Sequence, residues 1–112
     1  ILMSHEKRKF TDDLDFITTP GYLDGPGGRE KAGLPPGCGP YRVVTNLCVL
    51  GFHPESKRMQ VEMLYHGVTR QDVECATGFE LLFHDNVEPA EPPTREELRI
   101  LREKVYPEGL FT

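Results

Sequence analysis

Residues 40–67, PYRVVTNLCVLGFHPESKRMQVEMLYHG, decide the fold of this chain because they predict two long strands joined by a short polar connection. The first strand spans residues 42–52 and contains the apolar run 47–50, which is typical of a strand covered on both faces. The second strand spans residues 58–66 and alternates between an apolar and a polar face: Met59, Val61, Met63 and Tyr65 against Arg58, Gln60 and Glu62. The connection HPESK contains a proline and polar side chains, so the two strands are expected to form an antiparallel hairpin.

A helix is predicted over residues 69–77, directly after the hairpin. Thr69 is placed as its N-cap, and Asp72 three residues later supplies the partner of a capping box. Gly78 follows the last helical residue, where a glycine in the left-handed conformation is typical. The apolar stretch 79–83 predicts a short strand, and a strand that follows a helix in this way favours an α/β layer packing.

A second helix is predicted over residues 94–105, behind a Pro-rich linker at residues 88–93. Thr94 and Glu97 form the capping box T-x-x-E, and Pro107 ends the helix. Three apolar side chains of this helix share one face: Leu98, Leu101 and Val105.

Shorter elements and loops occupy the rest of the chain. Residues 1–3 predict the end of a strand with no connection ahead of it, so we expect the natural sequence to continue upstream. Residues 14–18, LDFIT, alternate and predict a short strand. Glycine and proline occupy more than half of the loop 20–40, which contains neither nucleotide-binding glycine motif and has room for one helical turn at residues 29–34. The tail 110–111 is expected to pack on the domain or on a partner subunit.

Length and composition limit the class of protein. A chain of 112 residues forms one domain or a piece of one, and 38% hydrophobic with 28% charged residues is a globular composition. A net charge of −5 and a pI near 5.3 argue against nucleic acid or an anionic membrane as the main partner. No apolar stretch approaches the ~20 residues of a membrane span, and no signal peptide is recognisable.

The residues that most often carry chemistry show no catalytic or metal-binding spacing. The cysteines (Cys38, Cys48 and Cys75) are odd in number and widely separated, which favours reduced thiols and a cytoplasmic location. The histidines (His5, His53, His66 and His84) have no metal-ligand spacing, so no metal site is predicted. The cluster at residues 6–9, EKRK, is either a phosphate contact or the solvated face of a loop.

Five stretches of the chain resemble one known family in order: HEKRKF (5–10), ITTPGYLDGPGGRE (17–30), PYRVVTN (40–46), HGVTRQDVECATGFEL (66–81) and PPTREELRILRE (92–103). They closely resemble the C-terminal part of the beta subunit of family I CoA-transferases, the glutaconate type most of all and the 3-oxoacid type more distantly. The resemblance implies a single partial domain, the C-terminal portion of an open α/β sheet. It also implies an alpha-subunit partner in a hetero-oligomer, and an acyl-CoA and a carboxylic acid as substrates, with coenzyme A never permanently bound.

Enzymes of this family use a glutamate nucleophile that forms a mixed anhydride and then a glutamyl-CoA thioester. In the family this glutamate lies in an E-N-G or E-x-G context in the N-terminal half of the subunit. Glu30 is followed by Lys31 and Glu108 by Gly109, so neither matches. We therefore assign no catalytic residue to this chain and expect the nucleophile upstream, while the residues that bind coenzyme A remain unassigned.

Two alternatives stay open at this point. In the first, the chain is part of a related ring-cleaving hydrolase of CoA esters, in which the nucleophilic glutamate is missing and water attacks instead. In the second, the chain is a non-catalytic interaction domain, which would be a stable monomer without a large exposed apolar patch.

Overall fold

A four-stranded mixed sheet forms the centre of the computed structural model, which describes residues 1–109. The strands are β1 (Val43–Val44), β2 (Cys48–Phe52), β3 (Met59–Leu64) and β4 (Leu82–Pro89), side by side in that order. β1 and β2 pair antiparallel, as do β2 and β3, whereas β4 runs parallel to β3. The helices are α1 (Gly28–Lys31), α2 (Arg70–Cys75) and α3 (Arg95–Ile100), which continues into a π-helical turn (Leu101–Val105). The predicted packing of residues 110–111 lies outside the described part of the chain.

The central hairpin is confirmed, but its first strand is not the single element predicted over residues 42–52. A turn at residues 45–47 divides it into β1 and β2, which themselves form a second, smaller hairpin. The Thr45 hydroxyl oxygen accepts hydrogen bonds from the backbone amides of Leu47 and Cys48, both at 3.1 Å. A threonine that binds its own neighbouring backbone in this way competes with the strand ladder and reverses the chain.

The alternation predicted for β3 holds only up to a bulge. Val61 pairs with Leu50 and Met63 pairs with Val49, so Glu62 has no partner residue opposite it. The extra residue shifts the following side chains to the opposite faces, and Met63 is exposed although the pattern placed it in the core.

The hydrophobic core lies on one side of this sheet. It consists of seven side chains, fully or almost fully buried: Phe10, Val43, Cys48, Leu50, Val61, Val73 and Leu81. Leu47 and Val49 are only half-buried, so the run 47–50 is not covered on both faces as predicted. No helix within residues 1–109 is long and apolar enough to cross a membrane.

The N-terminal segment contains less strand than predicted. Leu2 forms one isolated parallel bridge to Val44. The strand predicted over residues 14–18 is absent: this stretch is irregular, and Phe16 is 80% exposed. Alternation alone cannot form a strand, because each backbone amide and carbonyl needs a neighbouring strand to bind.

The strand predicted over residues 79–83 is displaced towards the C-terminus. β4 starts at Leu82 and ends at Pro89. The Pro-rich linker predicted over residues 88–93 therefore begins at residue 90. Its pairing with β3 jumps from Phe83 to Glu88, so several intervening residues form a wide irregularity. Proline is tolerated here because β4 is an edge strand.

The start of α2 is confirmed in detail, and its end differs from the prediction. The Asp72 amide donates to the Thr69 hydroxyl (3.2 Å), and the Asp72 carboxylate accepts from the Thr69 amide (2.8 Å). Gly78 does not adopt the left-handed conformation. Its amide instead donates to the carbonyl oxygen of Phe10 at 2.6 Å, and a Cβ atom would lie 2.5 Å from that oxygen. Glycine is required here for close approach of two backbones.

The C-terminal helix begins where predicted, because Thr94 and Glu97 form a complete capping box. From Leu101 onwards the backbone is π-helical, and the Tyr106 amide binds the Leu101 carbonyl at 2.7 Å. Leu101 is 50% exposed and Val105 is 65% exposed. The apolar stripe of this helix therefore does not cover the sheet.

Candidate functional site

A cavity of about 690 Å³ lies between the sheet and the loops that precede it in the chain. Apolar side chains line much of it: Met3, Phe10, Val43, Phe52, Met59 and Phe79. Residues 19–23 and 39–40 form a wall, and three cationic side chains also line the cavity: Lys9, Arg29 and Lys57. This volume and an apolar lining with a few charged groups are typical of small-molecule sites.

Tyr22 fixes the Gly/Pro-rich loop against the sheet. Its hydroxyl donates to the Pro40 carbonyl at 2.9 Å, and its ring packs edge-on to Phe52 with 5.1 Å between centroids. Gly39 lies against the ring so closely that a Cβ atom would come within 2.7 Å of it. Gly28 has the same constraint, since its Cβ would lie 2.8 Å from the Tyr22 carbonyl oxygen. These glycines let the loop close over the tyrosine.

Arg29 and Lys57 are held at this site by backbone and aromatic contacts. Arg29 Nη1 donates to the carbonyl oxygens of Pro20 (3.0 Å) and Gly21 (2.8 Å). Lys57 has a φ of +59°, an uncommon conformation for a residue with a side chain, and its ammonium lies 5.5 Å from the centroid of the Tyr22 ring.

Neither of these two cations forms an ion pair with a carboxylate of residues 1–109. Both also line a smaller polar cleft of about 130 Å³, together with Glu30 and Cys38. In a chain of net charge −5, cations without acidic partners beside an apolar cavity can receive an anionic ligand. Sequence reasoning missed them, although Lys57 lies in the predicted hairpin turn and Arg29 follows the glycine run.

The basic cluster at residues 6–9 is neutralised from within. The Glu6 carboxylate accepts from Lys9 (2.8 Å), from the Ser4 hydroxyl (2.6 Å) and from Arg8 (2.7 Å). These hydrogen bonds from Lys9, Ser4 and Arg8 lower the pKa of Glu6 to about 2. Two of the three cations are thus already paired, which favours the solvated loop over the phosphate contact.

His5 is the centre of a buried polar network that the sequence did not predict. The Thr77 hydroxyl donates to the Val73 carbonyl at 2.7 Å, so it must accept from His5 Nε2 at 2.8 Å. The proton of a neutral ring is then assigned to Nε2, and Nδ1 faces the Thr45 hydroxyl at 3.2 Å. The ring stacks on Phe10 at 4.1 Å, and burial lowers the pKa of His5. This network ties the N-terminus to the β1–β2 turn and to the end of α2.

The carboxylates present do not form a nucleophile site. Glu30 is exposed in α1, and Glu108 is exposed near the C-terminus. Glu62 is half-buried and pairs with Arg42 at 2.8 Å. No aspartate or glutamate among the described residues is fully buried.

The cysteines and histidines are dispersed. Cys38 and Cys75 are exposed, Cys48 is buried, and all three are free thiols. Burial raises the pKa of Cys48, so it is a poor nucleophile. In the part of the chain that the structure describes, no three histidine, cysteine or acidic side chains come together as metal ligands.

Comparison with known protein families identifies the family of this chain. The family model described as coenzyme A transferase matches residues 1–76, which is more than half of the chain. The chain belongs to the coenzyme A transferase family. The matched region contains α1, the sheet as far as β3, α2 and the loops that line the larger cavity.

Relatives within the coenzyme A transferase family include the B subunits of two transferases. The B-type subunit of glutaconate CoA-transferase from Acidaminococcus fermentans is 41% identical over 111 residues, 99% of this chain and 41% of the relative. The B-type subunit of 3-oxoadipate CoA-transferase from Pseudomonas knackmussii is 37% identical over 102 residues, 91% of this chain and 39% of the relative. A third relative is the IpdB subunit of the cholesterol ring-cleaving hydrolase from Mycobacterium tuberculosis, 34% identical over 96% of this chain and 42% of the relative.

Two solved structures extend the likeness to three dimensions. Glutaconate coenzyme A-transferase from Acidaminococcus fermentans matches 98% of this chain and 42% of its own with a TM-score of 0.91 and 39% identity. IpdAB from Rhodococcus jostii matches 96% of this chain and 42% of its own with a TM-score of 0.74 and 30% identity. The chain therefore spans about two fifths of the length of the relatives it matches.

Proposed function

We propose that this chain is the C-terminal portion of the beta subunit of an acyl-CoA:carboxylate CoA-transferase of the glutaconate or 3-oxoacid type. The observation that carries the proposal is the match to glutaconate CoA-transferase, which has 41% identity over 99% of the chain and a TM-score of 0.91. The matching hydrolase structure is more distant, at 30% identity and a TM-score of 0.74.

In the proposed reaction a glutamate carboxylate supplied upstream attacks the thioester carbonyl and expels coenzyme A as its thiolate. The thiolate then attacks the glutamyl carbonyl of the mixed anhydride, which releases the first carboxylic acid and leaves a glutamyl-CoA thioester. The second carboxylate accepts coenzyme A by the reverse of these steps. Residues 1–109 contain no buried carboxylate for this role, consistent with a nucleophile outside this chain.

The larger cavity supplies the ligand surface in this proposal. Its apolar lining suits an acyl chain, and Arg29 and Lys57 suit the negative charge of a carboxylate or phosphate. The remaining parts of the active site come from upstream residues and from an A-type subunit in a hetero-oligomer. A cytoplasmic enzyme is consistent with the three free thiols.

Acyl-CoA exchange measured with the purified 112-residue chain tests the position of the nucleophile. We expect no turnover, because the chain lacks the glutamate motif. Sustained turnover that survives both Glu30→Ala and Glu108→Ala would show that a different group on this chain is the nucleophile.

The ring-cleaving hydrolase remains a second candidate because IpdB subunits are 31–34% identical to this chain. An acyl-CoA incubated with a radiolabelled carboxylic acid and the enzyme assembled with its A-type subunit separates the two. Label in the thioester fraction supports the transferase. Free coenzyme A without labelled thioester supports the hydrolase.

The interaction-domain alternative predicts a self-sufficient monomer. Apolar side chains with more than half of their surface exposed argue against it: Ile1, Leu2, Leu14, Phe16, Ile17, Tyr41 and Val105. We expect the isolated chain to bind a hydrophobic dye or to self-associate at micromolar concentration. A compact monomer that binds no dye in light scattering and fluorescence would favour the interaction domain.

A further inference from the structure

A separate cavity of about 430 Å³ lies beside the β2–β3 turn and the start of β4. His53 and Gln60 line it from the hairpin, and Phe83, His84 and Asp85 line it from β4. It shares no lining residue with the cavity and cleft described above. Its volume is within the range of small-molecule sites.

Gln60 is the unusual group of this cavity. The residue is only 6% exposed, yet its side-chain amide makes no hydrogen bond within residues 1–109. Neither amide atom is sealed from the cavity by surrounding protein atoms. An amide that lies at the cavity surface and binds no described protein group offers a ligand an unused donor and an unused acceptor.

The two histidines add further polar atoms. His53 Nδ1 accepts from the backbone amides of Glu55 (3.3 Å) and Ser56 (3.2 Å), so Nε2 of the neutral ring bears the proton. His84 Nδ1 accepts from the Asn86 amide at 3.1 Å. In both rings Nε2 makes no hydrogen bond to a described residue.

The lining selects the chemistry of the ligand. Neither lysine nor arginine lines the cavity and Asp85 does, which disfavours an anion. Within residues 1–109 these side chains belong to no group of three potential metal ligands. A neutral amide matches best: its carbonyl accepts from the Gln60 NH₂ or from His53 Nε2–H, and its N–H donates to the Gln60 oxygen or to Asp85.

We propose that this cavity binds a secondary amide and that the amide belongs to the pantetheine arm of a CoA thioester. The assignment rests on the proposed function, which supplies that ligand. The β2–β3 turn connects the two sites, because Lys57 lines the larger cavity and His53 lines this one. The proposal places the anionic part of the thioester near Lys57 and an amide of its pantetheine arm at Gln60, on the two sides of this turn.

Titration of the enzyme assembled with its A-type subunit with pantetheine, followed by NMR of isotope-labelled glutamine side-chain amides, tests the proposal. We expect the Gln60 NH₂ signals to shift in a saturable manner. Gln60→Leu replaces the amide with an apolar side chain that is one atom shorter, so we expect roughly tenfold weaker binding and an unchanged or higher melting temperature. Gln71→Leu, at an exposed position of α2, is the matched control and should leave pantetheine affinity unchanged.

The outcomes separate this inference from the proposed function. Absence of a saturable shift at Gln60, or unchanged pantetheine affinity in Gln60→Leu, overturns the inference. N-acetylalanine methylamide, a model of the peptide backbone, is the second ligand. Equal affinity for it would indicate that the cavity binds a peptide amide and would contradict the assignment to pantetheine. If Gln60→Leu leaves the KM for the acyl-CoA unchanged in the assembled enzyme while transfer proceeds, the proposed function stands and this inference fails.

Discussion

Helices α2 and α3 start with the same capping motif but differ in how they pack on the rest of the domain. Each has a threonine N-cap and an acidic residue three positions later, and both capping boxes are complete. α2 buries Val73 completely and is tied by Thr77 to His5. α3 buries none of its side chains and passes into a π-helical turn. A capping box therefore fixes where a helix begins, whereas tertiary contacts decide whether it adds to the core.

The largest expected difference comes from the same substitution in α2 and in the π-helical turn that continues α3. Val73→Ala leaves a cavity in the core and should lower the free energy of unfolding by about 2–3 kcal/mol. Val105→Ala, the matched control on a mostly exposed side chain, should change it by less than about 0.5 kcal/mol. Urea titration measures both, and similar losses would mean that the C-terminal helix packs on the domain in solution.

The backbone contact at the end of α2 provides the next test. Gly78→Ala places a methyl group against the Phe10 carbonyl and should cost about 1–3 kcal/mol, because neither backbone can move without breaking their hydrogen bond. Gly21→Ala is the control, since nothing lies within 4 Å of its Cβ position. A neutral Gly78→Ala in thermal unfolding would contradict the contact.

Acidification should weaken the network behind α2. Burial lowers the pKa of His5 below 6.5, so the unfolded chain binds this proton more readily than the folded chain. Stability is then fully present above pH 6.5 and declines as the pH falls below it, by at most about 1.4 kcal/mol per pH unit for one proton. Urea midpoints at pH 7.5, 6.5 and 5.5 measure this decline. His5→Gln should flatten it, whereas His66→Gln, at an exposed position, should not.

The smallest effects come from the caps. Thr69→Ala should lower the global free energy of unfolding by about 1 kcal/mol, because α2 unfolds with the core. Thr94→Ala should instead increase local fraying of α3, with little global change. Amide hydrogen exchange distinguishes them: protection should fall within α3 alone for the second variant. A global loss for Thr94→Ala would remove the distinction between the two helices.

Signals confined to a few neighbouring residues were readable from the sequence. The β2–β3 hairpin and both capping boxes depend on local pattern and were predicted correctly. The division of residues 42–52 was missed because a single hydroxyl, that of Thr45, reverses the chain inside an apolar run. The strand predicted at residues 14–18 failed because no neighbouring strand pairs with it.

The candidate site was largely invisible to sequence reasoning for the same reason. Arg29 and Lys57 are 28 positions apart and meet only because the glycine-rich loop folds onto the hairpin turn. The role of His5 depends on Thr77, 72 residues away. The basic cluster was visible, but its pairing with Glu6 depends on side-chain geometry. Residue type can suggest a ligand, and only the fold shows which charges are already paired.

The bond between His5 and Thr77 also sets an order of events during synthesis. The two residues are separated by 72 positions, so the ribosome makes the N-terminal segment long before its binding site exists. At about 5–20 residues per second, roughly 4–14 s pass between the synthesis of His5 and that of Thr77. The β2–β3 hairpin needs no such delay, because its strands are joined by a short turn. The N-terminal segment therefore completes its docking only after α2 has been made, and until then its apolar residues are accessible to chaperones.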